Sequence, residues 1–352
     1  MVRDSPSKGC RDAVKNIGFL TFGQHSDSPD SPTRTQRDAL VQTVDLAVAA
    51  EGMGFDSAFI RVHHYSRQLI SPFPLLATLA ARTTTIDLGT GVIDMRYENP
   101  LYMSEEAAVT DLLSDGRLQL GLGRGSPESA LQGYQSFGFI PAAGETDVDL
   151  AREHTAIFRY AIAGHAVATS NPATSNWDGP IPIEPQSEGL SERIWWGSGT
   201  RESARWCGEQ GMNLMSSTLL TEDTGAAHSD VQAEQIRIFR RAWTDAGHPH
   251  QPRVAVTRSI IPISPGMDRE VWGEVADAAS SDAVGSLDGH TSRFGRRYIG
   301  DAARIIEDLS TDAAVQEADT ILLDIPALQT PEFNVNLLSA VINEVAPSLG
   351  WR

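Results

Sequence analysis

Cysteine is nearly absent from this chain: Cys10 and Cys207 are the only two in 352 residues. Two thiols support neither a disulfide framework nor a cysteine-rich metal site. Basic charge is also short, with 28 Lys and Arg against 46 Asp and Glu and a formal net charge of −18. That balance argues against nucleic-acid binding, which wants a basic surface, and it fits solubility instead. No run approaches the roughly 20 apolar residues that a membrane helix needs. The opening MVRDSPSKGCRDAVKN has no apolar centre, so it does not read as a secretory signal. Residues 1–15 are expected to form a loose arm, with residues 16–352 as one domain. No internal repeat is visible. A cytoplasmic protein of enzyme size, without nucleic acid or membrane as a partner, is the expectation.

Hydrophobic residues make up 41% of the chain, enough for a large core. The stretch 84–126 organises the rest. Its first part, 86–93, is a short apolar run around Gly89-Thr90-Gly91 and reads as a buried strand. Asn99 and Pro100 mark a helix start. Leu101, Ala108, Val109, Leu112 and Leu113 then fall on one helical face, and Asp115-Gly116 closes the helix. A second strand begins at Leu118 and runs into Gly123-Arg124-Gly125-Ser126. Strand, helix and strand make one unit of a parallel sheet.

The same alternation covers the chain. Strands are expected at 17–22, 55–62, 86–93, 118–122, 193–196, 212–215, 253–263 and 319–325. Helices are expected from Leu40 to about Gly52 and at 73–82, 100–113, 128–137, 148–162, 201–210, 228–246, 301–309 and 332–345. This pattern predicts a (β/α)8 barrel with insertions after strands 4 and 7. Segments 165–192 and 264–300 lack a strong period and read as excursions.

Ligands of parallel sheets sit at the C-terminal strand ends. Arg124, between two glycines at such an end, has a guanidinium able to hold a phosphate or to join a surface ion pair. Gly199, Thr200 and Ser203 stand at a strand-to-helix junction, where free N–H groups and hydroxyls make an anion site or simply cap the helix. His63 and His64 follow the second strand. Adjacent strand residues point to opposite sides, so at most one imidazole faces the mouth, as acid–base group or as structural His. His25 is a further histidine of the same mouth. Trp195 and Trp196 either flank a planar ligand or fill core, and Arg96 and Glu98 read as ordinary loop charges. Metal-ligand spacing is not found around the two histidines.

These residues resemble the luciferase-like flavin monooxygenases from about Ile17 to Val345. The resemblance lies in FDSAFIRVHHY, LAARTTTIDLGTGV, ENPLYMSEEAAVTDLLSDGRLQLGLGRG, WWGSGTRESARWCGEQGMN and IGDAARIIEDL, in the family's order. It implies a barrel that holds reduced FMN at the C-terminal rim. Arg124, with Ser126 beside it, would contact the phosphate, and Gly199, Thr200 and Ser203 would supply the second phosphate loop. His63 would serve the oxygen chemistry through a peroxyflavin. Val62 stands where the family usually has Glu, and Gly199 where luciferase has a carboxylate. Segment 264–300 would be a mobile lid, a separate flavin reductase would deliver the cofactor, and a homodimer is expected. No nicotinamide fingerprint is present. A deazaflavin-dependent oxidoreductase of the same superfamily, a non-catalytic flavin-binding protein and a sugar-phosphate barrel enzyme are the alternative readings.

Overall fold

The computed structural model describes residues 14–125, 129–222, 224–263, 267, 269–287 and 290–352. Most of the N-terminal arm, and Ser126, lie outside the described residues. Eight parallel strands close on themselves: β1 (Asn16–Thr21), β2 (Ser57–Ile60), β3 (Asp87–Thr90), β4 (Leu118–Gly123), β5 (Ile194–Ser198), β6 (Asn213–Ser216), β7 (Val254–Arg258) and β8 (Thr320–Asp324). β1 pairs with β8 through Leu20↔Asp324, and β3 pairs with β4 through Leu88↔Leu118. The fold is a TIM barrel.

Alternation along the strands decides what fills it. Leu20, Phe59, Val92, Trp195, Met215, Ala255 and Leu322 form the interior cluster. Their sequence neighbours, such as Phe19, Ile60, Trp196 and Leu323, belong to the larger core that includes residues of the surrounding helices. Tryptophan therefore serves packing on both faces of β5.

The helices that pack around the strands include α1 (Gln36–Gly52), α2 (Pro72–Arg82), α3 (Pro100–Leu113), α4 (Asp147–Ile162), α5 (Arg201–Gln210) and α6 (His228–Ala246). Local chemistry sets their ends. Thr35 and Asp38 make a reciprocal capping box on α1. Asn99 Oδ1 accepts from the N–H groups of Leu101 and Tyr102 at 3.1 Å each, ahead of α3. Arg117 has a wholly structural duty at the opposite end of the barrel. It donates to the carbonyls of Ser114 (2.7 Å), Ile86 (2.6 Å) and Thr83 (3.1 Å), fixing where β4 starts.

Several expected boundaries move. The run 86–93 is not one strand: β3 ends at Thr90, and Ile93–Asp94 pairs separately with the end of β4. Segment 253–263 likewise divides into β7 and Ile260–Pro262. In the expected helix 128–137 only a 3-10 turn, Gly133–Phe137, forms. Segment 264–300 was expected to be irregular. It contains helix α7 (Arg269–Ala278), an antiparallel hairpin of Ala283–Leu287 with His290–Phe294, and the strand Tyr298–Gly300. That last strand pairs in parallel with Ile260–Pro262. Phe294 and Arg293 also pair with Leu219–Leu220, just beyond β6, which ties the hairpin to the C-terminal side of the barrel. Among the described residues no helix is long and apolar enough to cross a membrane.

Candidate active site

The C-terminal mouth is built from strand tips. β4 and β5 are neighbours in the register Leu122↔Trp196, so Gly123-Arg124-Gly125 and Gly197-Ser198-Gly199 leave the sheet side by side. Both predicted anion-binding segments therefore share one sector of the rim. The methyls of Val92 lie against both tips: a Cβ on Gly123 or Gly197 would come within 3.1 or 3.0 Å of them. Small residues on β4 and β5 thus leave Val92 as an apolar floor.

Arg124 is exposed, with 47% of its side chain accessible, and Nη1 lies 3.8 Å from Asp147 Oδ2. Asp147, in the first turn of α4, is also held by Arg96 Nη1 at 2.9 Å. Arg96 is buried and grips the buried Asp94 through Nε and Nη2. Two acids and two guanidinium groups therefore alternate from the barrel interior to the rim. Burial pushes the Asp94 carboxyl up, while Arg96 pulls it back down. Gly125 is fixed by this cluster. Its φ is +83°, and a Cβ there would lie 2.0 Å from Asp94 Oδ2.

Across the β4–β5 junction, Thr200 caps α5 by accepting from the Ser203 N–H at 3.1 Å. The Ser203 hydroxyl accepts from Trp196 Nε1 at 2.9 Å, which leaves its own proton to donate. Glu222 takes the Arg201 N–H at 3.0 Å and its guanidinium at 3.1 Å. A carboxylate thus already occupies part of this helix start. Gly199 approaches the backbone of Leu219, whose carbonyl would sit 2.8 Å from an added Cβ. Any side chain at that position has to displace the segment after β6.

The two histidines part company beyond β2. His63 Nδ1 lies 3.3 Å from Gln68 Oε1, and its buried Nε2 has no hydrogen-bond partner among the described residues. The amide oxygen can only accept, so Nδ1 carries the proton in the neutral ring and Nε2 keeps its lone pair. His64 stacks on Tyr97 at 4.1 Å and meets the edge of Phe137. It belongs to an aromatic cluster with Tyr65 and Tyr134. His25 is tied through its backbone to Arg67 O in the adjoining loop.

Three mouth residues were not singled out as functional from the sequence. Arg61 donates to Gly91 O at 3.2 Å and lies over Phe22. Glu98 is half-buried; burial, with Glu106 and Asp94 adding, pushes its carboxyl to about 7. Arg96 and Glu98 are therefore not ordinary loop charges. Asp324 ends β8. A small cleft lies on the β1–β8 side of the barrel, away from Arg124, and its lining, including Thr33, Gln42 and Asn334, carries no charged side chain.

Residues 16–318 match the luciferase-like monooxygenase family. The chain belongs to that family. Among curated proteins, this chain is 37% identical over 99 residues to the uncharacterised protein YwcH of Bacillus subtilis, covering 28% of this chain and 30% of that one. It is 34% identical over 98 residues to the oxygenase component of the flavin-dependent trigonelline monooxygenase of Acinetobacter baylyi, covering 27% of each. The chain spans well under two thirds of the length of these relatives. Solved structures are alike over nearly the whole chain. A monooxygenase from Streptomyces bottropensis superposes with a TM-score of 0.70 at 17% identity, covering 94% of this chain and 99% of that one. The oxygenating constituent of 3,6-diketocamphane monooxygenase from Pseudomonas putida, in complex with FMN, gives 0.67 at 18%, covering 95% and 98%. A coenzyme F420-dependent secondary alcohol dehydrogenase gives 0.61 at 16%, covering 95% and 99%. At these identities the structural likeness shows the fold, and the family match shows membership of the luciferase-like monooxygenases.

Proposed function

We propose that this luciferase-like monooxygenase is an oxygenase component that takes reduced FMN from a separate flavin reductase and oxygenates a small organic substrate with O2. The observation that carries the reading is the side-by-side exit of Arg124 and the Ser198–Ser203 segment from one rim sector, over an apolar floor. A phosphate there would meet the exposed Arg124 guanidinium and the Ser203 hydroxyl proton. Thr200 serves mainly as the helix cap in this arrangement, and Gly199 as close-packed backbone. Ser126 is assigned beside Arg124 from the family resemblance alone.

Reduced FMN supplies the oxygen chemistry when bound. The chain's own residues do the rest. Val92, Gly123 and Gly197 shape an apolar floor, and Arg124 anchors the anionic end. His63, with Nδ1 turned to Gln68, presents Nε2 to accept and return a proton. The excursion between β7 and β8 is the lid that keeps water from the pocket. An apolar face of α3, with Tyr102, Val109, Leu112 and Leu113 exposed, supports a homodimer. Work in the cytoplasm, beside the reductase, completes the reading.

Coenzyme F420 is the competing cofactor, since solved structures of the same fold use it. Anaerobic titration with reduced FMN and, separately, reduced coenzyme F420 decides between them. The expected result is saturable binding of FMN at least tenfold tighter than of coenzyme F420. The reverse order would assign hydride transfer without oxygen instead.

A further inference from the structure

Asp324 stands at the C-terminal tip of β8, where the chemistry of such barrels is placed. It pairs with Leu20 in register and follows Leu322 by two residues. Leu20 and Leu322 both belong to the interior cluster, so strand alternation turns Asp324 to the same inner face. Phe59, paired with Leu20 on its other side, and Phe22 complete apolar surroundings. Among the described residues the Asp324 carboxylate has no hydrogen bond and no ion pair. The charged group that acts on it is Arg297. Arg61, on the β2 tip, is instead engaged with Gly91 O and the field of Asp94.

Asp324 is half-buried, and a carboxylate held partly out of water without a partner is disfavoured. Burial pushes the Asp324 carboxyl up to about 6, with Arg297 countering. It is therefore ionised at neutral pH and loses its charge in mild acid. Groups of this kind cluster at functional sites. A metal ion is a poor candidate, because no group of three His, Cys, Asp or Glu side chains gathers among the described residues.

We propose that Asp324 is the specificity-determining residue of the barrel mouth and that it selects a substrate bearing a protonated amine on an apolar body. The ammonium would sit on the carboxylate in a charge-assisted hydrogen bond, and the apolar body would lie against the partly buried Phe22, above the floor formed by Leu20 and Phe59. The inference rests on the reading of the mouth as the substrate pocket.

Benzylamine and its uncharged counterpart benzyl alcohol are the probes, titrated into the full-length protein by calorimetry at pH 7.5. The wild type should bind benzylamine at least ten times more tightly than benzyl alcohol. Asp324→Asn should bring the two affinities to within about threefold while leaving benzyl alcohol unchanged. Because a folding defect in the variant would blur that comparison, the wild type is also titrated from pH 7.5 to pH 5. Its preference for the amine should fall as the carboxyl takes up its proton, although benzylamine itself stays charged throughout. Equal affinity for the two probes in the wild type, no detectable benzylamine binding, a preference retained in Asp324→Asn, or a preference independent of pH would each overturn the proposal. Reduced FMN is titrated in the same preparations. Its failure to bind would count against the cofactor assignment and leave the amine preference to be judged on its own.

Discussion

The Arg96 guanidinium grips Asp94 with three contacts, Nε to Oδ1 at 3.0 Å and to Oδ2 at 3.2 Å and Nη2 to Oδ2 at 2.6 Å, and its third nitrogen reaches Asp147 Oδ2 at 2.9 Å. One buried guanidinium thus neutralises the acid under the Gly-Arg-Gly turn and aligns the acid that faces Arg124. Removing it strands a charge inside the barrel. Arg96→Met should lower the unfolding free energy by about 3–5 kcal/mol in urea denaturation at pH 7.5. Adding Asp94→Asn should recover most of the loss. A loss below 1 kcal/mol for the single variant would show that the pair does not hold the rim together.

Arg124 is different, because it is exposed and its nearest carboxylate lies at 3.8 Å. Such a contact contributes little to stability. Arg124→Ala should melt within a degree or two of the wild type, yet weaken anaerobic binding of reduced FMN by about 1.5–3 kcal/mol through loss of a charge-assisted contact. Unchanged affinity would remove Arg124 from the cofactor site.

His63→Ala should keep FMN affinity within about threefold and raise the hydrogen peroxide released per O2 consumed when a reductase is supplied. His63→Asn supplies a polar group but no comparable base, and should behave similarly. Oxygen-electrode and peroxide assays give the ratio, and wild-type coupling in both variants would exclude the assigned proton transfer.

Acid stability has a specific origin in His228, at the start of α6. Its ring is buried: Nε2 lies 3.2 Å from Thr218 O, and Gly295 packs against the imidazole. Burial, then the nearby Arg258, push its pKa down to about 4. The unfolded chain, near 6.5, binds the proton first. Stability from the neutral ring is therefore fully present above pH 6.5 and falls as the pH drops towards 4, by on the order of 3 kcal/mol. Glu51 adds a lower limb. Burial opposes its charge, but the N–H groups of Thr85, Thr84 and Ile86 outweigh that and hold the carboxyl at about 2. Its contribution is present above pH 4.5 and is lost from there down to about 2. Asp324 and Glu98, both raised, act in the opposite sense. The His228 part is therefore read as the difference between wild type and His228→Gln across pH 4–7. Parallel stability curves for the two proteins would rule it out.

The barrel was legible in the chain because its parallel strands are buried on both faces and helices such as α1, α3 and α4 carry strong caps. The C-terminal limit of α6 follows from the stop at Gly247, and its buried face carries Val231, Ile236, Phe239 and Trp243. What escaped were elements without a buried face. The strand Ala283–Leu287 exposes Ala283 to Ser286, so no alternation marks it. The break after Thr90 is invisible too, because Gly91 and Val92 are as apolar as the strand they leave. At the site, the glycine spacing located Arg124 and the junction at Gly199. It did not show that Glu222 had taken the Arg201 N–H, since that contact joins loops after two different strands. Asp324 was hidden for a similar reason: a lone acid ending an apolar run looks like a turn residue until closure of the ring puts it inside.

The pairing of Ile260–Pro262 with Tyr298–Gly300 staples together the two ends of the longest excursion. Whatever lies between them can be lengthened, shortened or exchanged without altering the spacing of β7 and β8. Evolution can therefore refit the roof of this barrel while the hearth beneath it stays in register, and a chimera cut at those two strands is where an engineer should start.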